Sequence, residues 1–267
     1  MLYNDDCLVA MKKLIEENTQ VDSIVTDPPY HLTNTNDENK GFMGKQWDGG
    51  DIAFNVETWK LAYDLLKHGG HLIAFSASRT YHHMVVAIEN AGFEIRDQLM
   101  WLYSSGFPKG HNISKGLEKT GATPVDIETW EGWNTVLKPA HEPIVLARKP
   151  LEPDSTIAQN VLKHDTGGLN IADCSVGDEK RFNPSASSNK IYGQFEGSEK
   201  DGRDSTGRYP TNVIHDGSDD VNDAFQKYAQ SGENPIRFFM GLKHLKLNAI
   251  MDQQILKIHT QLLNHKI

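Results

Sequence analysis

The stretch Asp27-Pro28-Pro29-Tyr30, which follows the apolar pair Ile24-Val25, carries the most chemistry in this sequence. Proline fixes φ and has no N–H, so two in succession leave carbonyl oxygens with no local ladder to join. The Pro28 carbonyl and the Asp27 carboxylate can then face one small space. Two acceptors at short range suit a group with two N–H donors, such as an exocyclic amine. Holding both hydrogens would aim the nitrogen lone pair at an electrophile. Tyr30 adds a flat face on which a heterocycle can stack. The pattern suits a base drawn out of its stack and gripped by its amino group. Read alone, it is equally well a strand-to-loop turn with a packed tyrosine.

Other residues could support such a site. Lys45, Trp47, Lys109 and Lys115 stand in or beside the polar, glycine-containing stretches at 31–50 and 104–112. As a set, lysines with aromatics fit phosphate positioning and stacking; singly, each is an ordinary solvated lysine or packed tryptophan. His82-His83, His141 and His164 follow no metal-ligand spacing, and no metal is expected. Cys7 and Cys174 are too few for a disulfide framework and read as small packing residues. Arg148-Lys149 reads as a phosphate contact or as the solvent end of a strand.

The elements that must position these groups alternate. VDSIVTD is a short buried strand ending at Asp27. VETWKLAYDLLKHGG reads as an amphipathic helix stopped by Gly69-Gly70. HLIAFSAS, EIRDQLMWLY and HEPIVLARKP read as further strands, and RTYHHMVVAIENAGF as a helix closed by Gly92. CLVAMKKLIEE is a helix that Asp6 can N-cap. Strands alternating with helices predict an α/β, largely parallel, doubly wound sheet, in which ligands bind outside the carboxyl ends of the strands. Beyond residue 151 the texture turns rich in Gly, Ser, Asn and Asp. Residues 240–267 carry four lysines and one aspartate, and their apolar spacing predicts a helical tail.

Bulk properties narrow the classes. A chain of 267 residues with 38% hydrophobic content has a globular composition. No apolar run approaches the roughly 20 residues of a membrane helix, and the N-terminus lacks a signal-peptide pattern. A cytoplasmic protein is expected. The net charge of -9 argues against a nonspecific polycation but allows a local basic surface for nucleic acid.

Taken together, NDDCLVAMKKL, VDSIVTDPPYHL, LLKHGGHLIAFSASRTYHHM, IENAGFEIRDQLMWLYSSGFPKGHNISK, WEGWNTVLKPAHEPIVLARKP and GRYPTNVIHDGSD resemble DNA amino-methyltransferases, adenine- or N4-cytosine-specific, of the permuted class in which the DPPY motif comes first. The likeness is greatest to site-specific enzymes of bacteriophages and prophages. It implies a Rossmann-like S-adenosylmethionine-dependent methyltransferase fold and transfer of a methyl group to the amino nitrogen of a flipped base in double-stranded DNA. Asp27, Pro28, Pro29 and Tyr30 would form the catalytic set. Asp6, Cys7 and Asp27 would lie at the cofactor, with Asp5 standing where the family's turn has glycine. Lys45, Trp47, Lys109 and Lys115 would face DNA. Residues 1–150 would be the catalytic domain, 151–239 the target-recognition region and 240–267 an atypical tail.

Against that pattern, the family's glycine-rich cofactor loop is not found in the sequence. The expectation is a fold incomplete at the C-terminus, with an unpaired edge on the DPPY strand and weak or no cofactor binding by this chain alone; a homodimer or a partner chain could complete the site. Adenine is the expected target. N4-cytosine, or a DNA-binding fragment without activity, are the alternatives.

Overall fold

The computed structural model describes residues 3–32, 50–108, 110–183, 203–227, 240–241 and 255–258. Helix α1 (Cys7–Glu16) leads into strand β1 (Val21–Thr26). Then follow α2 (Val56–Leu65), β2 (Leu66–Phe75), α3 (Tyr81–Asn90) and β3 (Glu94–Leu102). Two short helices, α4 (Ile113–Thr120) and α5 (Pro124–Thr129), precede β4 (His141–Arg148). Beyond it lie α6 (Ile157–His164), β5 (Val176–Asn183), β6 (Arg203–Arg208), β7 (Val213–His215), α7 (Asp219–Lys227), β8 (Met240–Gly241) and β9 (Ile255–Ile258).

The main sheet runs β8-β7-β3-β4-β2-β1-β9. Side chains alternate between its faces, as a pleat requires. Leu72, Ala74, Val145 and Ala147 pack with Met11, Leu14, Trp59, Leu65, Met84 and Ile88 of the first three helices. Ile73, Leu99, Ile144 and Leu146, with Ile214 of β7, face the other way, where Cys174 and Val176 pack against them. Cys174, 4% exposed, is thus a packing residue of the second core. β5 and β6 form a separate antiparallel ribbon.

The sheet is α/β and largely parallel, as the alternation of elements predicts, with β4 the one strand among those described that runs against the rest. β1 and β2 pair parallel, yet β4 is antiparallel to both β2 and β3. The reason is the connection: the described residues between β3 and β4 carry α4 and α5, which pack on each other, and no crossover helix. The chain therefore leaves β3 and starts β4 at the same end. The carboxyl ends of β1, β2 and β3 and the beginning of β4 gather there.

Helix α2 also ends earlier than its apolar period suggests. It stops at Leu65, and β2 begins at Leu66 and runs through both glycines. The Lys149 ammonium takes up carbonyls at the end of the helix, Tyr63 O at 2.9 Å and Leu66 O at 2.8 Å. A cation is well placed at that negative end. Arg148 and Lys149 are each 7% exposed. Arg148 grips Glu94 through Nε and a terminal nitrogen at 3.1 and 2.6 Å. Neither residue is a phosphate contact or a solvated strand end.

Gly69 and Gly70 serve close approach. At Gly69, with φ of +83°, a Cβ would stand 2.5 Å from Asn160 Nδ2; at Gly70 it would stand 2.8 Å from the Asp22 carbonyl. Asn160 is fully buried on α6. Its amide nitrogen donates to His68 O and Thr166 O at 2.8 and 2.9 Å, and its oxygen accepts from Glu152 N–H at 3.0 Å. This amide staples α6 to β2.

The tail departs from the helical expectation at Ile255–Ile258, which pairs parallel with Ser23–Thr26. The β1 edge expected to be open is covered there by this chain's own backbone, which satisfies the ladder groups of β1.

Two stability measurements test this packing. Asn160→Ala removes three hydrogen bonds and leaves the Glu152 N–H and the Thr166 carbonyl without them, so urea unfolding should show a loss of about 2–4 kcal/mol. Burial, then Arg148 and Arg96, lower the His71 pKa from 6.5 to about 4. The unfolded chain takes up this proton first as pH falls. Stability linked to His71 is therefore complete above about pH 6.5 and is lost toward pH 4, by about 3 kcal/mol. His71→Leu should flatten the unfolding midpoint across that window.

Candidate functional site

The site begins where β1 ends. Thr26 is the last strand residue and is buried; Asp27, immediately after it, is exposed. Pro28 is half-buried and Pro29 is buried. Neither proline can extend the ladder, so the backbone leaves the sheet here. His31 then takes a left-handed φ of 51°. That costly conformation is held by its ring: Nδ1–H donates to Gly50 O at 2.9 Å, and the ring meets Phe54 edge-on at 5.4 Å.

Tyr30 is fastened at both ends. Its carbonyl accepts from Thr80 Oγ1 at 2.8 Å, and its hydroxyl donates to Glu142 Oε2 at 3.2 Å. Thr80 sits at the N-cap position of α3 but makes no side-chain cap; its hydroxyl goes to Tyr30 instead. The neighbouring Arg79 donates to Leu32 O at 3.1 Å. The turn between β2 and α3 thus holds residues 30–32. Ser76 N–H, donating to Pro143 O at 3.0 Å, ties that turn to the beginning of β4 and so to Glu142.

The electrostatics follow from this crowding. Burial pushes the Tyr30 hydroxyl far above the ordinary phenol range, helped by hydrogen bonding to Asp27 and by the charge of both carboxylates. Burial also raises Glu142; its bond from Tyr30 opposes the rise, and the Asp27 charge adds to it. Tyr103 is raised by burial and then by Glu142. Asp27, Tyr30 and Glu142 therefore share one patch in which the tyrosine keeps its proton.

On the other side of the motif lies a small apolar cleft lined by Cys7, Thr26, Pro28, Pro29, Ile52 and Trp59. Trp59 is held by its indole N–H, which donates to Ala53 O at 2.9 Å. Cys7 opens α1, and burial raises its thiol pKa, which keeps it protonated rather than nucleophilic. Asp6 caps α1, accepting from Leu8 and Val9 N–H at 2.9 and 3.3 Å. The structure thus brings Cys7, Pro28 and Pro29 to one cleft and sets Asp27 and Tyr30 beside Glu142.

The expected DNA-facing residues fare differently. Lys115 is exposed on α4, which follows β3 at the site's end of the sheet. Lys45, Trp47 and Lys109 lie outside the described residues. Among the described residues no group of three or more His, Cys, Asp or Glu could hold a metal ion, and no helix is long and apolar enough to cross a membrane. Sequence reasoning missed Glu142, Thr80 and Arg79. The one signal for Glu142 was a carboxylate abutting the apolar strand PIVLA.

A family model described as DNA methylase, of the N6/N4 type, matches residues 21–229. The chain belongs to the N6/N4 DNA methylase family. The match starts at the first residue of β1 and takes in the DPPY turn, the β2–α3 turn and β4. The type II methyltransferase M.HindIII of Haemophilus influenzae is 29% identical over 201 residues, 63% of this chain and 64% of that protein. The chain thus spans a little under two thirds of the length of that relative. Among solved structures, the complex of M1.HpyAVI with SAM is 17% identical over 56% of this chain and 53% of that one, with a TM-score of 0.35. TTHA0409 of Thermus thermophilus is 15% identical over 55% of this chain and 53% of that one, with a TM-score of 0.33.

Thr80→Val tests the fastening of the motif loop. It deletes a hydroxyl with one acceptor, so unfolding should show a loss of about 1 kcal/mol. Limited proteolysis near residue 32 should quicken at the same time.

Proposed function

We propose that this chain transfers a methyl group from S-adenosylmethionine to the exocyclic amino group of adenine in a specific double-stranded DNA sequence. The observation that carries the reading is the position of Asp27-Pro28-Pro29-Tyr30 at the carboxyl end of β1, in a chain of the N6/N4 DNA methylase family. Strand ends of this kind are where open α/β sheets bind ligands.

In this reading the Asp27 carboxylate and the Pro28 carbonyl accept the two amino hydrogens of a base taken out of the helix. That orients the nitrogen lone pair and draws electron density toward it as the new bond forms. Tyr30 offers its ring face to the base. The cofactor supplies an electrophilic methyl group when bound. The apolar lining of Cys7, Pro28, Pro29 and Trp59 suits contact with the face of a flat, uncharged ring such as an adenine. Residues 1–150 carry this chemistry, and Lys115 and its neighbours beyond β3 contact phosphate. Residues 151–239 read the target sequence.

The test is direct. Calorimetry should show saturable S-adenosylmethionine binding. Nucleoside mass spectrometry of treated duplex DNA should show N6-methyladenine, with Asp27→Ala lowering turnover by about a hundredfold or more. N4-methylcytosine instead would change the target base. Specific DNA binding without any methyl transfer would overturn the reading in favour of a recognition fragment.

A further inference from the structure

A base that leaves its stack in a duplex leaves a gap, and refilling that gap competes with extrusion. An apolar side chain driven between base steps can occupy it. The chain carries such side chains at the rim of its site, on the two crossings that lead from β3 to α4 and from α5 back to β4. Leu137, 91% exposed, is the most exposed large apolar side chain among the described residues, and Phe107, 76% exposed, is the most exposed aromatic one. Exposure alone says little, since Leu162 on α6 is 86% exposed. Position separates them. The helix of Leu162 packs against the start of β2, at the opposite end of the sheet. Phe107 and Leu137 flank the end that carries Tyr30.

The two crossings form a neck whose backbones are held side by side. Leu102 pairs with His141 at the end of the ladder, and Tyr103 N–H donates to Ala140 O at 3.1 Å. At Gly106 the chain lies so close to the Pro139 carbonyl that a Cβ would collide with it. Phe107 follows Gly106 directly, and Leu137 stands two residues before Pro139. The neck reaches the motif through Glu142, whose Oε2 lies 3.2 Å from the Tyr30 hydroxyl. Leu137 is five residues upstream of Glu142, so at most about 18 Å of chain separates them. The charges also suit DNA. Residues 103–111 and 135–141 carry Lys109 and Lys138 and no carboxylate, in a chain of net charge -9. Phosphates can approach there, while the acidic residues of α4 and α5 fall outside the neck.

We propose that Phe107 and Leu137 form a wedge that enters duplex DNA beside the target base and occupies the stack which that base vacates, with Lys138 on the adjoining phosphate. This rests on the proposed methyl transfer to an extruded base. Insertion would cover apolar surface that water otherwise wets. Because the backbone of the neck is already pinned, little order is lost when the two side chains go in.

The experiment uses the full chain as wild type, Phe107→Ala, Leu137→Ala, the double variant and Leu162→Ala. Duplexes that wild type binds are selected from a random pool, and 2-aminopurine then replaces each adenine of the selected site in turn. Its fluorescence, quenched by stacking, should rise on wild-type binding at the extruded base or its neighbour. With the double variant it should stay near the level of free duplex, and Leu162→Ala should follow wild type. In methyl transfer from S-adenosylmethionine the double variant should lose about tenfold or more in kcat. On the same duplex lacking the base opposite the target, where extrusion costs least, its deficit against wild type should shrink to within about threefold. An equal deficit on both duplexes would make the neck a plain docking contact, and a full fluorescence rise with the double variant would mean extrusion without a wedge; either overturns the proposal. Both side chains are exposed, so urea midpoints should not move, and the single variants give the same reading should the double variant not fold. A wild-type fluorescence rise without methyl transfer would defeat the proposed function and leave the wedge standing. Methyl transfer untouched in the double variant would do the reverse, and the absence of any bound duplex would overturn both.

Discussion

The antiparallel ladder of β4, made on one side with β2 and on the other with β3, is the constraint on which the site depends. One end of this strand delivers Glu142 to Tyr30. The other delivers Arg148 to Glu94 and Lys149 to the end of α2. Both faces of the strand are packed, with Val145 and Ala147 in one core and Ile144 and Leu146 in the other. A slip of one residue would exchange those sets and carry both ends out of place. The register therefore holds the contact at the DPPY end and a distal helix cap with the same hydrogen bonds.

Around that strand the molecule places polar groups where hydrogen bonds recover the cost of burial. Lys149 gives up water but gains two helix-end carbonyls. Asn160 gives up water and gains three partners. His71, with Arg148 and Arg96 near it, stays neutral instead. Each solution follows from the same rule: a polar group inside the fold is paired, or it discards its charge. The DPPY end of the sheet differs. There Asp27 remains exposed, and the Tyr30–Glu142 pair is only half-buried. That is the arrangement expected of groups that must meet something from outside.

Several features were legible in the residues themselves. Periodicity located β1, α3, β3 and β4 because burial on a pleat or a helix face leaves a local pattern. The DPPY segment announced a strand end, since two prolines cannot stay in a ladder. Asp6 as an N-cap was legible because that bond spans only a few residues. Less legible was the end of α2, where the apolar spacing ran on past Leu65 while a lysine far along the chain closed the helix. The apolar spacing of the tail reads wrongly as helix, because the pairing of Ile255–Ile258 with β1 joins residues more than 200 positions apart and leaves no local pattern.

The sequence by itself determined the family from its motifs, and it located β1, β3 and β4, because the burial pattern of each strand rests on neighbours within a few residues. Only the tertiary structure decided the direction of β4, the burial of Arg148 and Lys149, and the meeting of Tyr30 with Thr80 and Glu142. Those contacts join residues some 50 to 112 positions apart. No local pattern encodes them. They exist because two cores on opposite faces of one sheet fix the strand order, and the strand order then chooses which side chains share an end.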